Sequence, residues 1–158
     1  MSDLEKYLSA DRVALGVDVA DRAGVLERLA RLLGGQDEAT YEAIRDDLGR
    51  REVLGSTGVG GGIAFPHARV APLPGLRLAV LRTAKPVEYA ALDGHGVDLY
   101  VAIAGPEHLR REYLAVLGTL SYVFRMDRVR EELRLAATPE EVVETLRRIS
   151  ADAARPMA

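Results

Sequence analysis

The chain has no cysteine. Disulfides, thiolate nucleophiles and cysteine-based zinc sites are therefore excluded. Long apolar runs are absent too: no window approaches the roughly 18 apolar residues of a membrane-spanning helix. Met1 to Lys6 lacks a basic segment followed by an apolar core, so no secretory signal is expected there, and the expected location is the cytoplasm. Nor is there an excess of positive charge, since 21 basic against 24 acidic residues leave a formal net charge of −3. A nucleic-acid partner calls for a concentrated basic surface, so none is expected. Lysine is scarce, with only Lys6 and Lys85, and the basic charge rests on arginine. That preference is read as compositional bias and not as a binding feature. The three histidines, His67, His95 and His108, are scattered without metal-ligand spacing. No metal and no cofactor is implied.

Against those absences stands an ordinary globular composition, 48% apolar and 28% charged over 158 residues. This length suits one domain with a substantial core, expected over about residues 12–149, with Ser150 to Ala158 a loose tail. Arg12 to Val19 alternates loosely and reads as a short strand. Asp21 to Leu33 carries Val25, Leu26, Leu29, Leu32 and Leu33 at helical spacing and stops at Gly34-Gly35. Asp37 to Arg51 reads as a second helix with Asp37 as its N-cap. The glycine-rich stretch Gly55 to Gly62 reads as a loop, and Ile63 to Phe65 as extended chain before Pro66.

Leu76 to Thr83 and Val97 to Ala104 read as strands, the latter apolar enough to be buried on both faces. A long helix follows Pro106, with Leu114, Leu117, Leu120 and Phe124 as its expected inward stripe. Helices over Asp127 to Ala137 and Thr138 to Ile149 close the chain, the last with Thr138 as N-cap, Pro139 at its first position and Glu141 completing a capping box. The mixture predicts an α/β fold, a single domain with a central mixed β-sheet flanked by helices on both faces.

Chemistry concentrates in Arg51 to Arg69, R-E-V-L-G-S-T-G-V-G-G-G-I-A-F-P-H-A-R. Glycine-rich backbone can present N–H groups to an anion. No Gly-Lys-Ser/Thr follows, so this is not a Walker A loop. It precedes a short strand and does not open a helix, so it is not a dinucleotide fingerprint. His67 closes the stretch behind the stiff Pro66. A neutral imidazole is a nucleophile near pH 7, and a phosphoryl group asks mainly for positioning and positive charge. Arg51 and Arg69 can supply that charge, and Ser56 and Thr57 can donate hydrogen bonds to phosphoryl oxygens. The competing readings are structural: Arg51 ending a helix, Arg69 solvated at the rim, Ser56 and Thr57 bracing the loop, and Glu52 serving as a partner inside the fold. His95 is read as decorating an exposed turn, and His108 as solvated at the start of its helix.

The run R-E-x-x-G-S-T-G-x-G-x-G-I-A-F-P-H-A-R closely resembles the signature of EIIA domains of the fructose/mannitol/nitrogen-regulatory class of the bacterial phosphotransferase system. Asp93-Gly94-His95-Gly96-Val97, the Gly105-Pro106 break and R-L-A-A-T-P-E-E-V-V continue the likeness, which runs from about Leu15 to Arg148. The resemblance implies that His67 is the phosphorylated histidine and Arg51 the active-site arginine. One departure is plain. The family's long helix usually starts with a His-Leu pair that brings a second histidine to the first, and here that position is Tyr113, followed by Leu114. His108 lies five residues away and does not inherit the role.

The resemblance further implies a phosphotransferase that takes a phosphoryl group from an HPr-type phosphocarrier protein. It then passes the group to a cysteine of an EIIB domain for sugar uptake, with docking to a membrane permease but no insertion of its own. Val59 and Phe65 are expected to form an apolar rim around a shallow depression at His67. Two alternatives stay open. A domain without attached EIIB or EIIC resembles the nitrogen-regulatory branch, in which the phosphorylation state controls a regulatory target protein. A degenerate module would keep the anion-binding loop and never form phosphohistidine.

Overall fold

The computed structural model describes residues 3–153. After two short 3-10 turns, Leu4–Tyr7 and Ala10–Arg12, strand β1 covers Val13–Val17. Helix α1 (Arg22–Gly34) starts where the Asp21 carboxylate accepts the Gly24 N–H at 2.9 Å and ends at Gly35, whose φ of +64° suits glycine. Helix α2 (Glu38–Leu54) starts in the same way, with Asp37 accepting from the N–H groups of Ala39 and Thr40. It runs three residues beyond the expected end at Arg51, and the last of them, Leu54, lines the site described below.

The glycine-rich segment is not only loop. Strand β2 (Gly58–Gly60) pairs antiparallel with β3 (Ile63–Ala64). The turn between them passes through Gly60, Gly61 and Gly62 at φ of +98°, +68° and +78°, a left-handed path that side chains resist. Strands β4 (His67–Arg69), β5 (Arg77–Val87) and β6 (Val97–Gly105) complete a six-stranded mixed sheet. Its order is β1-β5-β6-β3-β2, and β4 lies beside β6 as well, farther along than β3.

Helix α3 (Arg110–Val123) follows a 3-10 turn at Glu107–Leu109. The short α4 (Asp127–Leu135) and the last helix, α5 (Pro139–Ala153), follow it. In α5 the Thr138 hydroxyl accepts the Glu141 N–H, and the Glu141 carboxylate reaches back to the Ala137 N–H. This helix replaces part of the expected loose tail: Ser150 is buried, and its hydroxyl accepts the Leu4 N–H. The rest of that expected tail, 154–158, lies outside the described residues.

Strand β6 shows why the sheet needs cover on both sides. Leu99, Val101 and Ile103 join one apolar cluster with α3, α4, α5 and the first turn of the chain. Tyr100, Ala102 and Ala104 join the other, with α1 and α2. Every one of these six side chains is fully buried, and burying a large aliphatic side chain is worth about 1.5–3 kcal/mol. The small residues Ala64, Ala68, Ala79, Ala102 and Ala104 sit on the α1/α2 side, so those helices approach closely. The inward stripe of α3 keeps the expected Leu120 and ends on the expected Phe124, but Tyr113 and Val116 take the places expected of Leu114 and Leu117. Tyr113, Val116, Leu120 and Val123 are buried, whereas Leu114 is half exposed.

Candidate active site

His67 opens β4, opposite Ile103 of β6. The Phe65-Pro66 step brings the chain to that edge, and the Ile103 N–H donates to the Pro66 carbonyl at 3.0 Å. The imidazole Nδ1 lies 3.0 Å from the Phe65 carbonyl oxygen. A carbonyl only accepts, so Nδ1 carries the hydrogen and Nε2 keeps its lone pair. Arg51 confirms this tautomer from the other side: its Nε–H donates to His67 Nε2 at 3.1 Å. The same guanidinium donates to the Gly55 carbonyl at 2.6 Å, at the C-terminal end of α2, where positive charge is favoured.

Burial pushes the His67 pKa below the ordinary histidine value. The Phe65 carbonyl opposes that shift, Arg51 adds to it, Glu52 opposes it and Arg69 adds to it. The net shift favours the neutral imidazole at pH 7.

A depression of about 360 Å³ opens in front of this nitrogen. Arg50, Arg51 and Leu54 of α2, His67 and Arg69 of β4, Glu107 and Tyr113 line it, together with Asp47 and Ala68. Asp47 ties the two sides together, accepting the Arg69 backbone N–H at 2.8 Å through Oδ2 and pairing with Arg50 at 3.1 Å through Oδ1. Its place four residues before Arg51 puts both on one helical face, a signal available in the sequence but not used. Tyr113 packs edge-on to His67 with ring centroids 6.1 Å apart, and the Arg69 guanidinium lies 4.8 Å from its centroid on one face. Burial raises the phenol pKa well above the tyrosine value, more than nearby Arg69 lowers it. Tyr113 packs as core, but its hydroxyl has no hydrogen-bond partner.

The other expected site residues are elsewhere. The Ser56 hydroxyl donates to the Tyr89 carbonyl at 2.7 Å and accepts the Gly58 N–H at 3.0 Å. Thr57 is buried, and its hydroxyl and N–H both donate to the Glu52 carboxylate. Both residues brace the loop, and neither lines the depression. Glu52, also buried, accepts the Tyr89 hydroxyl at 2.8 Å, so it is a structural partner. The glycine turn does meet an anion, but an internal one: the Gly61 N–H donates to the Asp93 carboxylate at 3.1 Å. Val59 and Phe65 line a separate depression with Phe124 and Arg130, so the expected rim is corrected. Its place at His67 is taken by the 84% exposed Leu54. His95 sits on the exposed Asp93-Gly94 turn, its N–H donating to Asp93. His108 lies in the 3-10 turn before α3 and does not line the depression.

The profile of the family described as "Phosphoenolpyruvate-dependent sugar phosphotransferase system, EIIA 2" matches residues 6–149. The chain belongs to this EIIA family. A nitrogen regulatory protein of Pseudomonas aeruginosa is 37% identical over 141 residues, 89% of this chain and 92% of that protein. A fructose-specific EIIABC component of Bacillus subtilis is 25% identical over 90% of this chain, which corresponds to 23% of that larger protein. Among solved structures, the nitrogen regulatory protein IIA-Ntr of Neisseria meningitidis superposes with a TM-score of 0.86 at 32% identity, covering 92% of this chain and 99% of that one. The IIA mannitol structure of Escherichia coli, at 23% identity and a TM-score of 0.71, covers 88% of this chain and 98% of that one and shows the same fold. EIIA domains are phosphotransfer components, and the mixed sheet with helices on both faces is the fold expected of one. Among the described residues no helix is long and apolar enough to cross a membrane.

Proposed function

We propose that His67 accepts a phosphoryl group on Nε2 from an HPr-type phosphocarrier, and that the phosphorylation state of this cytoplasmic domain controls a regulatory partner protein. The observation that carries the first part is the fixed tautomer. The Phe65 carbonyl holds Nδ1–H, which leaves the Nε2 lone pair directed at Arg51 in an open depression. In the reaction that lone pair forms the N–P bond while the bond from phosphorus to its leaving atom on the donor breaks and its electron pair stays with the donor. No proton needs to leave His67. Arg51 gives up the nitrogen and turns its charge to the phosphoryl oxygens, where positive charge lowers the barrier. The regulatory part is supported by nitrogen regulatory relatives that match over nearly their whole length.

A second reading is transfer onward to an EIIB cysteine for sugar uptake at a permease. It is favoured by the match to the fructose-specific component and by a mannitol IIA neighbour solved in complex with phosphorylated IIB. Intact mass after incubation with phosphoenolpyruvate, Enzyme I and the phosphocarrier tests the common step. One acid-labile phosphoryl group on wild type, and none on His67→Ala, is the expected result. Equal labelling of both proteins refutes it. Discharge by a cognate EIIB favours uptake, and partner binding that changes with phosphorylation favours regulation.

A further inference from the structure

Tyr113, which lines the depression, carries a polar atom that the fold leaves unused. The Tyr113 hydroxyl is buried and unpartnered, and among the described residues no other buried side-chain nitrogen or oxygen stands that way. Native interiors rarely tolerate an orphaned O–H unless a ligand or water completes it. The phenol lines the same depression as Nε2, stands edge-on to the imidazole at 6.1 Å and is flanked by Arg69 at 4.8 Å. Anything attached to Nε2 enters the volume that these three side chains share.

We propose that the Tyr113 hydroxyl donates a hydrogen bond to the phosphoryl group on His67, with Arg69 supplying charge to the same group. This rests on the reading of His67 as phosphoryl acceptor. The hydroxyl stays an O–H throughout: it donates a hydrogen bond and transfers no proton. Burial raises the phenol pKa above the ordinary tyrosine value, so the hydroxyl keeps its hydrogen through the neutral range. An imidazole at this position would instead change charge between about pH 5 and 8. The tyrosine therefore donates without changing charge in that range.

The test uses phosphoramidate as a small-molecule donor, followed by intact mass and phosphorus NMR at several pH values. Wild type, Tyr113→Phe, Tyr113→His and His67→Ala are compared. The phenylalanine keeps the ring and its packing, so folding is preserved, and the unmodified variant is expected to melt no lower than wild type. Its phosphoryl group should be lost about fivefold faster, the worth of one hydrogen bond. Its phosphorus resonance should shift. Compared with Tyr113→Phe at the same pH, Tyr113→His should slow the loss only at low pH, where the imidazolium donates. If labelled wild type and Tyr113→Phe show the same lifetime and the same resonance, the proposal is overturned while His67 stands as acceptor. If wild type carries no label on His67, the underlying reading fails, and this inference falls with it.

Discussion

Glu52 offers the sharpest test of the local architecture, because it is 4% exposed beside the candidate catalytic arginine. Its carboxylate accepts from the Thr57 N–H at 3.1 Å, from the Thr57 hydroxyl, and from the Tyr89 hydroxyl at 2.8 Å. Glu52→Ala strands three buried donors. The two hydroxyls already lie 3.4 Å apart and can satisfy each other in part, which leaves about two donors without acceptors. At about 1–3 kcal/mol for each buried unsatisfied group, the loss should be about 4 kcal/mol. For a domain of this size that corresponds to a fall in melting temperature of roughly 8–16 °C. Urea unfolding followed by circular dichroism, with the slope unchanged, measures it. Glu52→Gln keeps one acceptor oxygen and should lose about half as much. A Glu52→Ala protein within about 1 kcal/mol of wild type refutes the accounting. So does a Glu52→Gln protein of full stability that no longer accepts phosphate, since that would make Glu52 a participant in the chemistry.

Arg51→Ala should slow phosphorylation about a hundredfold, as loss of a transition-state donor does, with stability little changed; quench-flow labelling and thermal melts check both. The pH response of His67 has a definite sign. Its folded-state pKa lies below the ordinary value, so between the two the unfolded chain binds more protons. Its contribution is complete above about pH 6.5 and is lost as pH falls through that window, so wild type should lose stability relative to His67→Gln between about pH 7 and 5. Gly62→Ala drives a Cβ into Arg134 Nη2 at a φ of +78° and should cost about 1–2 kcal/mol, read by urea unfolding. Arg82→Met removes the donor that Leu133, Arg134 and Ala136 share through their carbonyls at the end of α4, and a loss of about 1–3 kcal/mol is expected.

The parts of the fold legible in the sequence were those set by local chemistry. Asp21 and Asp37 marked helix starts because a carboxylate before an amphipathic run satisfies orphan N–H groups, and both do so here. The phase of α3 was not legible. Its sequence is apolar at so many positions that a stripe through Leu114 and one through Tyr113 both keep helical spacing, and only contact with the sheet decides between them. Strand β2 was hidden because glycine has little strand preference of its own, and the pairing with β3 creates it.

The site divides in the same way. His67 and Arg51 could be found from a motif, and the structure brings them to 3.1 Å. The Phe65 carbonyl could not, because a backbone oxygen leaves no mark in a sequence. Ser56 and Thr57 misled through proximity along the chain. The glycines let the backbone turn, and both hydroxyls face inward to Tyr89 and Glu52.

What the geometry adds to the motif is the state of the nucleophile before reaction. The Nε2 lone pair is engaged by Arg51, and Arg51 is anchored at Gly55, so the resting histidine is covered by the same cation that the reaction needs. A hydrogen bond donated to a lone pair makes that pair less reactive toward an arbitrary electrophile. The imidazole offers the guanidinium only a neutral acceptor, whereas an incoming phosphoryl group is negatively charged and adds Coulomb attraction and two-pronged contact to the hydrogen bond. Arg51 therefore gains by leaving the nitrogen only when the arriving group is anionic and close. The switch needs no movement of the sheet. His67 stays on β4 beside Ile103, Asp47 holds the Arg69 backbone in register, and the exchange involves arginine side chains at the end of one helix and one short strand. On this argument selectivity for a phosphoryl donor lies in the arginine as much as in the histidine. An Arg51→Lys protein, with charge but no fork, should then react more readily than wild type with a neutral histidine reagent such as diethyl pyrocarbonate and less readily with phosphoramidate.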